Sequence, residues 1–181
     1  MPNYIAILRG INVGGKRKIL MADLKLMFSK MGFENVTSYI QSGNILFQTS
    51  ERISTTTVES RIENEILNNF GFEVPVILIS DAALKKAISN NPYYKASNTD
   101  IERLHLTFLK QEPTSERLKT LQEINMETDN FQIIDNTIFV YCSGKYSDSK
   151  FSNKFFENKL KVTTTTRNWK TILKLNDLLS G

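Results

Sequence analysis

Residues 36–49 read VTSYIQSGNILFQT, and this stretch decides the fold of the chain. Two segments rich in β-branched and aromatic residues flank the turn SGN, a pattern that predicts a β-hairpin. The apolar strand YIAIL at residues 4–8 and a helical stripe from Leu24 to Met31 precede the hairpin. A parallel nucleotide-hydrolase sheet alternates strands with helices, so a hairpin directly after the first helix argues against such a sheet.

The segments after the hairpin complete a β-α-β-β-α-β order. Thr56 and Glu59 have the spacing of a capping box, and the helix that they open continues to Gly71. The next strand is VPVILIS at residues 74–80, with its proline near the start, where a missing N–H is tolerated best. This order predicts a ferredoxin-like unit, whose strands lie in the spatial order 4-1-3-2.

The second half of the chain repeats this order. Its elements are the strand RLHLTFL at residues 103–109, a helix after Thr114, a hairpin around Asp135 and Asn136, a helical stripe from Phe151 to Leu160, the strand KVTTTT at residues 161–166 and a terminal helix at residues 168–179. We therefore predict an α+β fold of two ferredoxin-like β-α-β-β-α-β repeats packed together, with an additional C-terminal helix.

The predicted boundary between the repeats lies near residue 90. Residues 1–90 comprise the first repeat and a linking helix from about Asp81 to Ser89. Residues 91–181 comprise the second repeat and the C-terminal helix, and the polar, turn-rich residues 90–102 connect the halves. Each small sheet needs the other half or its own helices to cover its apolar face, so we expect one compact unit.

Composition places the chain among globular proteins. Its 181 residues are 40% hydrophobic and 23% charged. No apolar stretch approaches the roughly 20 residues that span a bilayer, and the N-terminus lacks the pattern of a signal peptide. With a single cysteine, Cys142, the chain cannot form an internal disulfide. These features predict a cytoplasmic protein without a membrane partner.

Cysteine and histidine are the residue types that bear on metal binding and nucleophilic catalysis. Cys142 ends an apolar strand, so we expect a buried thiol rather than a nucleophile. His105 is the only histidine and alternates with apolar neighbours, which predicts an exposed or interface position. Cysteine and histidine do not occur at zinc-binding spacing, and we expect no metal.

A glycine-rich segment, RGINVGGKRK at residues 9–18, follows the first strand. In the 4-1-3-2 order it should meet the turn QSGN at residues 41–44, because both lie at one edge of the sheet. Glycines let backbone N–H groups approach an anion, or they only permit tight turns; both interpretations stay open. The candidate ligand-binding residues here are Arg9, Asn12, Gly14, Gly15, Lys16, Lys18, Gln41, Ser42, Gly43 and Asn44.

The spacing of Gly10, Gly15 and Lys16 is that of a phosphate-binding P-loop. Arg17, however, stands where a Ser or Thr would hold magnesium. The amphipathic stripe also begins only near Leu24, whereas a P-loop lysine lies in the first turn of its helix. We therefore favour an anion site without nucleotide hydrolysis.

A third candidate segment is TTTTRNWKT at residues 163–171. We expect Thr165 or Thr166 to cap the last helix, which would place Arg167 at a helix N-terminus, where free N–H groups favour anions. Trp169 is expected to anchor the helix to the core, with stacking on a ligand ring as the alternative. Arg167, Asn168 and Trp169 complete the candidate ligand-binding set.

Three segments, LRGINVGGKRKILMADL, YIQSGNILF and TTRNWKTILKL, resemble the signatures of the bacterial family called domain of unknown function 1697. The resemblance implies an α+β fold of two similar, closely packed ferredoxin-like units, and it implies no activity. The matching positions are Arg9, Gly10, Asn12, Gly14, Gly15, Lys16, Gln41, Ser42, Gly43, Asn44, Thr166, Arg167, Asn168 and Trp169.

Three functions remain open at this stage. The leading hypothesis is binding of a small anionic or phosphorylated ligand, such as a nucleotide, at the glycine-rich loop. The second is nucleic-acid binding, because eight basic and three acidic residues follow position 144 in a chain of net charge +4. The third is a structural or protein-interaction role without a ligand. The pattern assigns no catalytic residue, no cofactor and no oligomeric state.

Overall fold

The computed structural model describes residues 1–50, 54–95, 98–125 and 127–181. The chain divides into two compact units, Met1–Leu84 with Leu178–Gly181, and Lys85–Asp177. The predicted boundary at residue 90 and the expectation of one compact unit stay predictions. Within the predicted connection, Ala96 and Ser97 lie outside the described residues.

The first unit is a four-stranded sheet covered by helices on one face. Its elements are β1 (Asn3–Leu8), α1 (Met21–Lys30), β2 (Glu34–Tyr39), β3 (Asn44–Gln48), α2 (Thr55–Phe70) and β4 (Val76–Ser80), followed by α3 (Asp81–Asn90). The strand order is β2-β3-β1-β4 and all neighbours are antiparallel, which confirms the predicted 4-1-3-2 order. The alternate residues Ala6 and Leu8 of β1 pack with Leu24 and Phe28 of α1 and Ile62 of α2 in one core.

The second unit repeats this topology. Its elements are β5 (Leu104–Leu109), α4 (Ser115–Gln122), β6 (Asn130–Ile134), β7 (Thr137–Tyr141), α5 (Asn153–Leu160), β8 (Thr164–Asn168) and the additional C-terminal helix α6 (Trp169–Ser180). The strand order is β6-β7-β5-β8, again antiparallel throughout. The predicted α+β fold of two ferredoxin-like repeats is therefore confirmed.

The start of α2 differs from the predicted capping box. Ser54, not Thr56, is the N-cap residue, and its hydroxyl accepts a hydrogen bond from the N–H of Thr57. Glu59 is buried, and its carboxylate accepts a hydrogen bond of 2.8 Å from the N–H of Leu78. Because β4 is an edge strand, its outward N–H groups need an acceptor, and Glu59 supplies one instead of turning back to its own helix.

The start of α6 also corrects the sequence prediction. Strand β8 continues to Asn168 through antiparallel pairing with β5, so Arg167 lies opposite Leu106 in the sheet and not in the first helical turn. The cap is Asn168, whose side-chain oxygen accepts a hydrogen bond of 2.8 Å from the N–H of Thr171. The β-branched Thr164–Thr166 segment suits a strand, so the cap is Asn168 rather than Thr165 or Thr166.

Candidate functional site

The glycine-rich loop and the β2–β3 turn meet at one edge of the first sheet, as their topology predicts. The N–H of Leu8 donates to the carbonyl of Gly43 over 2.8 Å, and the side-chain amide of Asn12 donates to the carbonyl of Gln41 over 2.9 Å. Gly43 has φ 86°, and a Cβ atom there would lie 2.7 Å from the Cβ of Leu8. Only glycine allows the turn to approach β1 this closely.

The tip of the loop is a small hairpin of its own. Val13 and Lys16 form a β-bridge, with the N–H of Lys16 donating to the carbonyl of Val13 over 3.0 Å. Gly14 and Gly15 between them have φ 58° and 74°. Two consecutive positive φ angles are typical of a type I′ turn, a conformation that glycine adopts without strain. The paired glycines therefore serve a tight, exposed turn.

Asn12 braces the loop. Its side-chain oxygen accepts from the N–H of Ile19 over 2.9 Å, and its amide nitrogen donates to the carbonyls of Ile19 and Gln41 over 3.0 and 2.9 Å. Ile11 and Ile19, on either side of the tip, are buried in the core. Both amide hydrogens of Asn12 are thus used within the protein, and its role is to hold the loop against the turn.

A cleft of about 420 Å³ opens beside this brace. Its volume lies in the range of small-molecule sites. The lining includes four of the predicted candidates, namely Asn12, Gly15, Lys18 and Gln41. The remaining lining residues are Ile19, Leu20 and Met21. Lys18 and Gln41 are exposed, so this wall of the cleft offers a cation and a neutral amide.

The cleft also borders the first residues of α1. Leu20 is the N-cap residue and provides no side-chain hydrogen bond to the first turn. The other α-helices of the described chain, α2 to α6, begin with a side-chain acceptor, namely Ser54, Ser80, Thr114, Ser152 and Asn168. The first-turn N–H groups of α1 thus lack the cap that its counterparts have, although the carboxylate of Asp23 lies in the same turn.

The family model described as "Protein of unknown function (DUF1697)" matches residues 1–139. The chain belongs to the DUF1697 family. Among solved structures it is similar to the conserved bacterial protein SP0830 from Streptococcus pneumoniae, with a TM-score of 0.75, 25% sequence identity and 98% of each chain covered. No curated protein matches the chain. The DUF1697 match includes every residue that lines the cleft and ends before Arg167.

Several predicted residues of this DUF1697 chain lie outside the cleft lining. Asn44 is fully buried, and its amide donates to the carbonyl of Tyr39 and the hydroxyl of Ser42 over 3.0 and 3.1 Å. Arg9 is half-buried and its N–H donates to the carbonyl of Pro75 over 3.0 Å. The hydrogen bonds of these residues, like that of the buried Gly43, shape the turn and the sheet edge.

The candidates Arg167, Asn168 and Trp169 belong to the second unit. Arg167 is half-buried in β8 and donates to the carbonyl of Thr166 over 3.0 Å; desolvation lowers the pKa of its guanidinium to about 10, so it stays charged at neutral pH. Trp169 is fully buried, with its ring centroid 5.3 Å from that of Tyr94. This confirms the predicted anchoring role of Trp169.

The basic residues that suggested nucleic-acid binding are distributed over several elements of the second unit. Lys154 lies in α5, Lys161 follows that helix, and Lys170 lies in α6, each with an exposed side chain. Nucleic-acid binding stays a prediction for this surface.

Sequence reasoning missed one feature of the site, which is its backbone strain. Twelve described residues have positive φ, and seven of them lie at residues 10–17 and 40–43. Ile40 is the least expected of these, with φ 51°, because a β-branched residue is disfavoured in the left-handed region. Such outliers concentrate at functional sites. An isoleucine within an otherwise polar turn was the only signal available in the sequence.

The single cysteine and the single histidine lie together in the second unit. The sulfur of Cys142 is 4.0 Å from Nδ1 of His105, and both side chains are buried. His105 is therefore not exposed, the alternative of an interface position stays a prediction, and the expected buried thiol is found. Burial lowers the pKa of His105 and raises the pKa of Cys142. Both groups are neutral at pH 7, and a neutral thiol is a weak nucleophile.

In the residues that the structure describes, no three His, Cys, Asp or Glu side chains come together as metal ligands would. None of the helices in the same part of the chain combines the length and apolar character that crossing a bilayer requires.

Proposed function

We propose that this protein binds a small anionic ligand, with a phosphate-like head group, in the cleft between the glycine-rich loop and the β2–β3 turn. One observation carries the proposal: a cleft of about 420 Å³ is lined by the cation Lys18 and the amide of Gln41 and borders the uncapped start of α1. Backbone N–H groups at a helix start together with a lysine form a favourable environment for an anion.

The electrostatics of the loop support the same proposal. Lys16, Arg17 and Lys18 are consecutive and exposed, so they concentrate positive charge at the mouth of the cleft. Arg17 has φ 48° and its carbonyl accepts from the N–H of Asn12 over 3.1 Å, which holds the basic segment in one conformation. A fixed loop loses little conformational freedom on binding, and this favours affinity.

The proposal is for binding rather than for a reaction. The lining consists of amide, ammonium, backbone and aliphatic groups. Groups of these kinds hold and orient an anion, whereas a nucleophile or a general base of suitable pKa would be needed for acyl or phosphoryl transfer.

Titration calorimetry at low ionic strength tests the proposal. Inorganic phosphate should bind the wild type, and Lys18→Gln should weaken the affinity about tenfold, because a charge-assisted hydrogen bond contributes roughly 1.5–3 kcal/mol. Lys119→Gln is the matched control, since Lys119 is also exposed but lies in α4 of the second unit. Equal affinity of the wild type and Lys18→Gln for phosphate, or absence of binding to both, would refute the proposal.

A further inference from the structure

One wall of the cleft is apolar. Ile19, Leu20 and Met21 line the cleft together with Lys18 and Gln41. Leu20 is 72% exposed, far more than packing in a core or covering of a helix requires. An inorganic anion without apolar groups would make no favourable contact with these apolar side chains.

Two further exposed apolar side chains flank the cleft. Val13 is 65% exposed and lies in the hairpin that carries the lining residue Gly15. Ile40 is 49% exposed and directly precedes the lining residue Gln41. Single exposed apolar residues are ordinary, but three of them grouped at one polar cleft indicate an interaction site.

The conformation of Ile40 strengthens this point. Its φ of 51° would suit asparagine or glycine without strain, yet the position holds a β-branched residue with its side chain half in solvent. Such a choice destabilises the free protein. It is explained if the side chain contacts a ligand.

The charge and the size of the site identify the kind of ligand. Lys16, Arg17 and Lys18 directly precede the apolar residues Ile19 and Leu20 on the same loop, so the partner combines negative charge with apolar surface. A volume of about 420 Å³ accommodates a small molecule rather than a folded partner.

We propose that the ligand is a small amphipathic anion, whose charged head lies at Lys18 and whose aliphatic or aromatic body packs on Leu20, Met21 and Ile40. This inference rests on the proposed anion-binding function and deepens it. Organic phosphates and organic carboxylates that carry an apolar substituent both fit this description.

The test compares methyl phosphate with hexyl phosphate, at concentrations where hexyl phosphate is monomeric. Hexyl phosphate should bind the wild type about tenfold more tightly or better, because several methylene groups leave water. Leu20→Ala should weaken the binding of hexyl phosphate far more than that of methyl phosphate, which removes most of this preference. Leu67→Ala, which truncates an exposed leucine of α2 outside the cleft, should change neither affinity.

Ile40→Asn gives a second test that does not endanger folding, because asparagine tolerates positive φ. It should reduce the preference for hexyl phosphate while the protein becomes more stable. An Ile40→Asn protein that keeps the full preference would count against a contact with the body of the ligand.

The possible failures are distinguishable. If both alkyl phosphates bind equally and Lys18→Gln weakens both, the anion site stands and the amphipathic ligand is overturned. If neither phosphate binds, the proposed function itself fails. Equal binding of hexanol and hexyl phosphate would overturn the inference in favour of an uncharged ligand. Binding to phosphatidylserine vesicles without binding to hexyl phosphate would overturn it in favour of a membrane surface.

Discussion

The two units share one topology and differ at the edge where their first strands end. In the first unit the N–H of Leu8 donates to the carbonyl of Gly43, and in the second the N–H of Leu109 donates to that of Asn136. The connection from β1 to α1 spans residues 9–20, whereas that from β5 to α4 spans residues 110–114. Since the short connection suffices for the fold, the longer one in the first unit is available for function.

The same edge differs in strain and in capping. The β6–β7 turn has one non-glycine residue of positive φ among its described residues, Asp135, whereas the loop and turn of the first unit have three, Asn12, Arg17 and Ile40. Helix α4 is capped by Thr114, whereas the equivalent helix α1 begins at Leu20 without a side-chain cap. The second unit therefore shows that the fold forms with a short connection and a capped helix. The long loop, its positive φ angles and the uncapped start of α1 are additional features of the first unit.

The largest predicted effect follows from the close approach of the turn to β1. Gly43→Ala should destabilise the first unit by about 3 kcal/mol, because the new Cβ meets both strain at positive φ and a clash with Leu8. Gly71→Ala is the matched control, with φ 80° but nothing within 4 Å of the new Cβ. Urea denaturation should show a smaller loss for Gly71→Ala, and equal losses would contradict the steric argument.

The Asn12 side chain makes three hydrogen bonds, whereas in the shorter connection of the second unit the side chain of Gln111 accepts one from the N–H of Thr163. Asn12→Gly keeps a residue suited to φ 55° but removes three hydrogen bonds, so we expect a loss of about 2 kcal/mol. Thermal unfolding measures the stability, and calorimetry with phosphate measures the site. An unchanged phosphate affinity would show that the brace does not position the cleft.

A serine at position 20 would make the start of α1 like that of α4. Leu20→Ser should stabilise the protein by about 1 kcal/mol and weaken phosphate binding, because the hydroxyl competes for the same N–H groups. Leu20→Ala removes the same apolar side chain without adding a cap and should leave phosphate affinity unchanged. If both variants weaken phosphate binding equally, the helix start takes no part in the site.

The smallest predicted effect is the pH dependence of the second unit. Leu8 and Leu109 make equivalent hydrogen bonds, so His105 of the second unit lies at the position that Tyr4 has in the first. Burial lowers the pKa of His105 below the ordinary value of 6.5, so the unfolded state binds the proton more tightly. Stability from this group is present above pH 6.5 and is lost as the pH falls through the folded pKa.

His105→Gln should therefore flatten the dependence of stability on pH in that acidic window. Denaturant midpoints of the wild type and the variant at pH 7 and at mildly acidic pH provide the measurement. An identical slope in both proteins would assign the acid sensitivity to other groups.

Sequence reasoning predicted the fold well because the relevant signals are local. The apolar periodicity and the turn SGN predict the order of strands and helices, and that order brings the glycine-rich loop to the β2–β3 turn. Four of the predicted residues, Asn12, Gly15, Lys18 and Gln41, line the cleft. Glu59 and Arg167 were misplaced because an edge strand and a strand pairing, both distant in sequence, decide their positions.

The sequence by itself determined two ferredoxin-like repeats and the edge at which a long basic loop emerges, since both follow from the order and periodicity of the elements. Only the tertiary structure decided which polar residues brace the protein and which face the cleft. Asn44 is buried within its turn, whereas Gln41, three residues earlier, is exposed at the cleft. That division depends on hydrogen-bond partners supplied by other segments, and no local pattern encodes them.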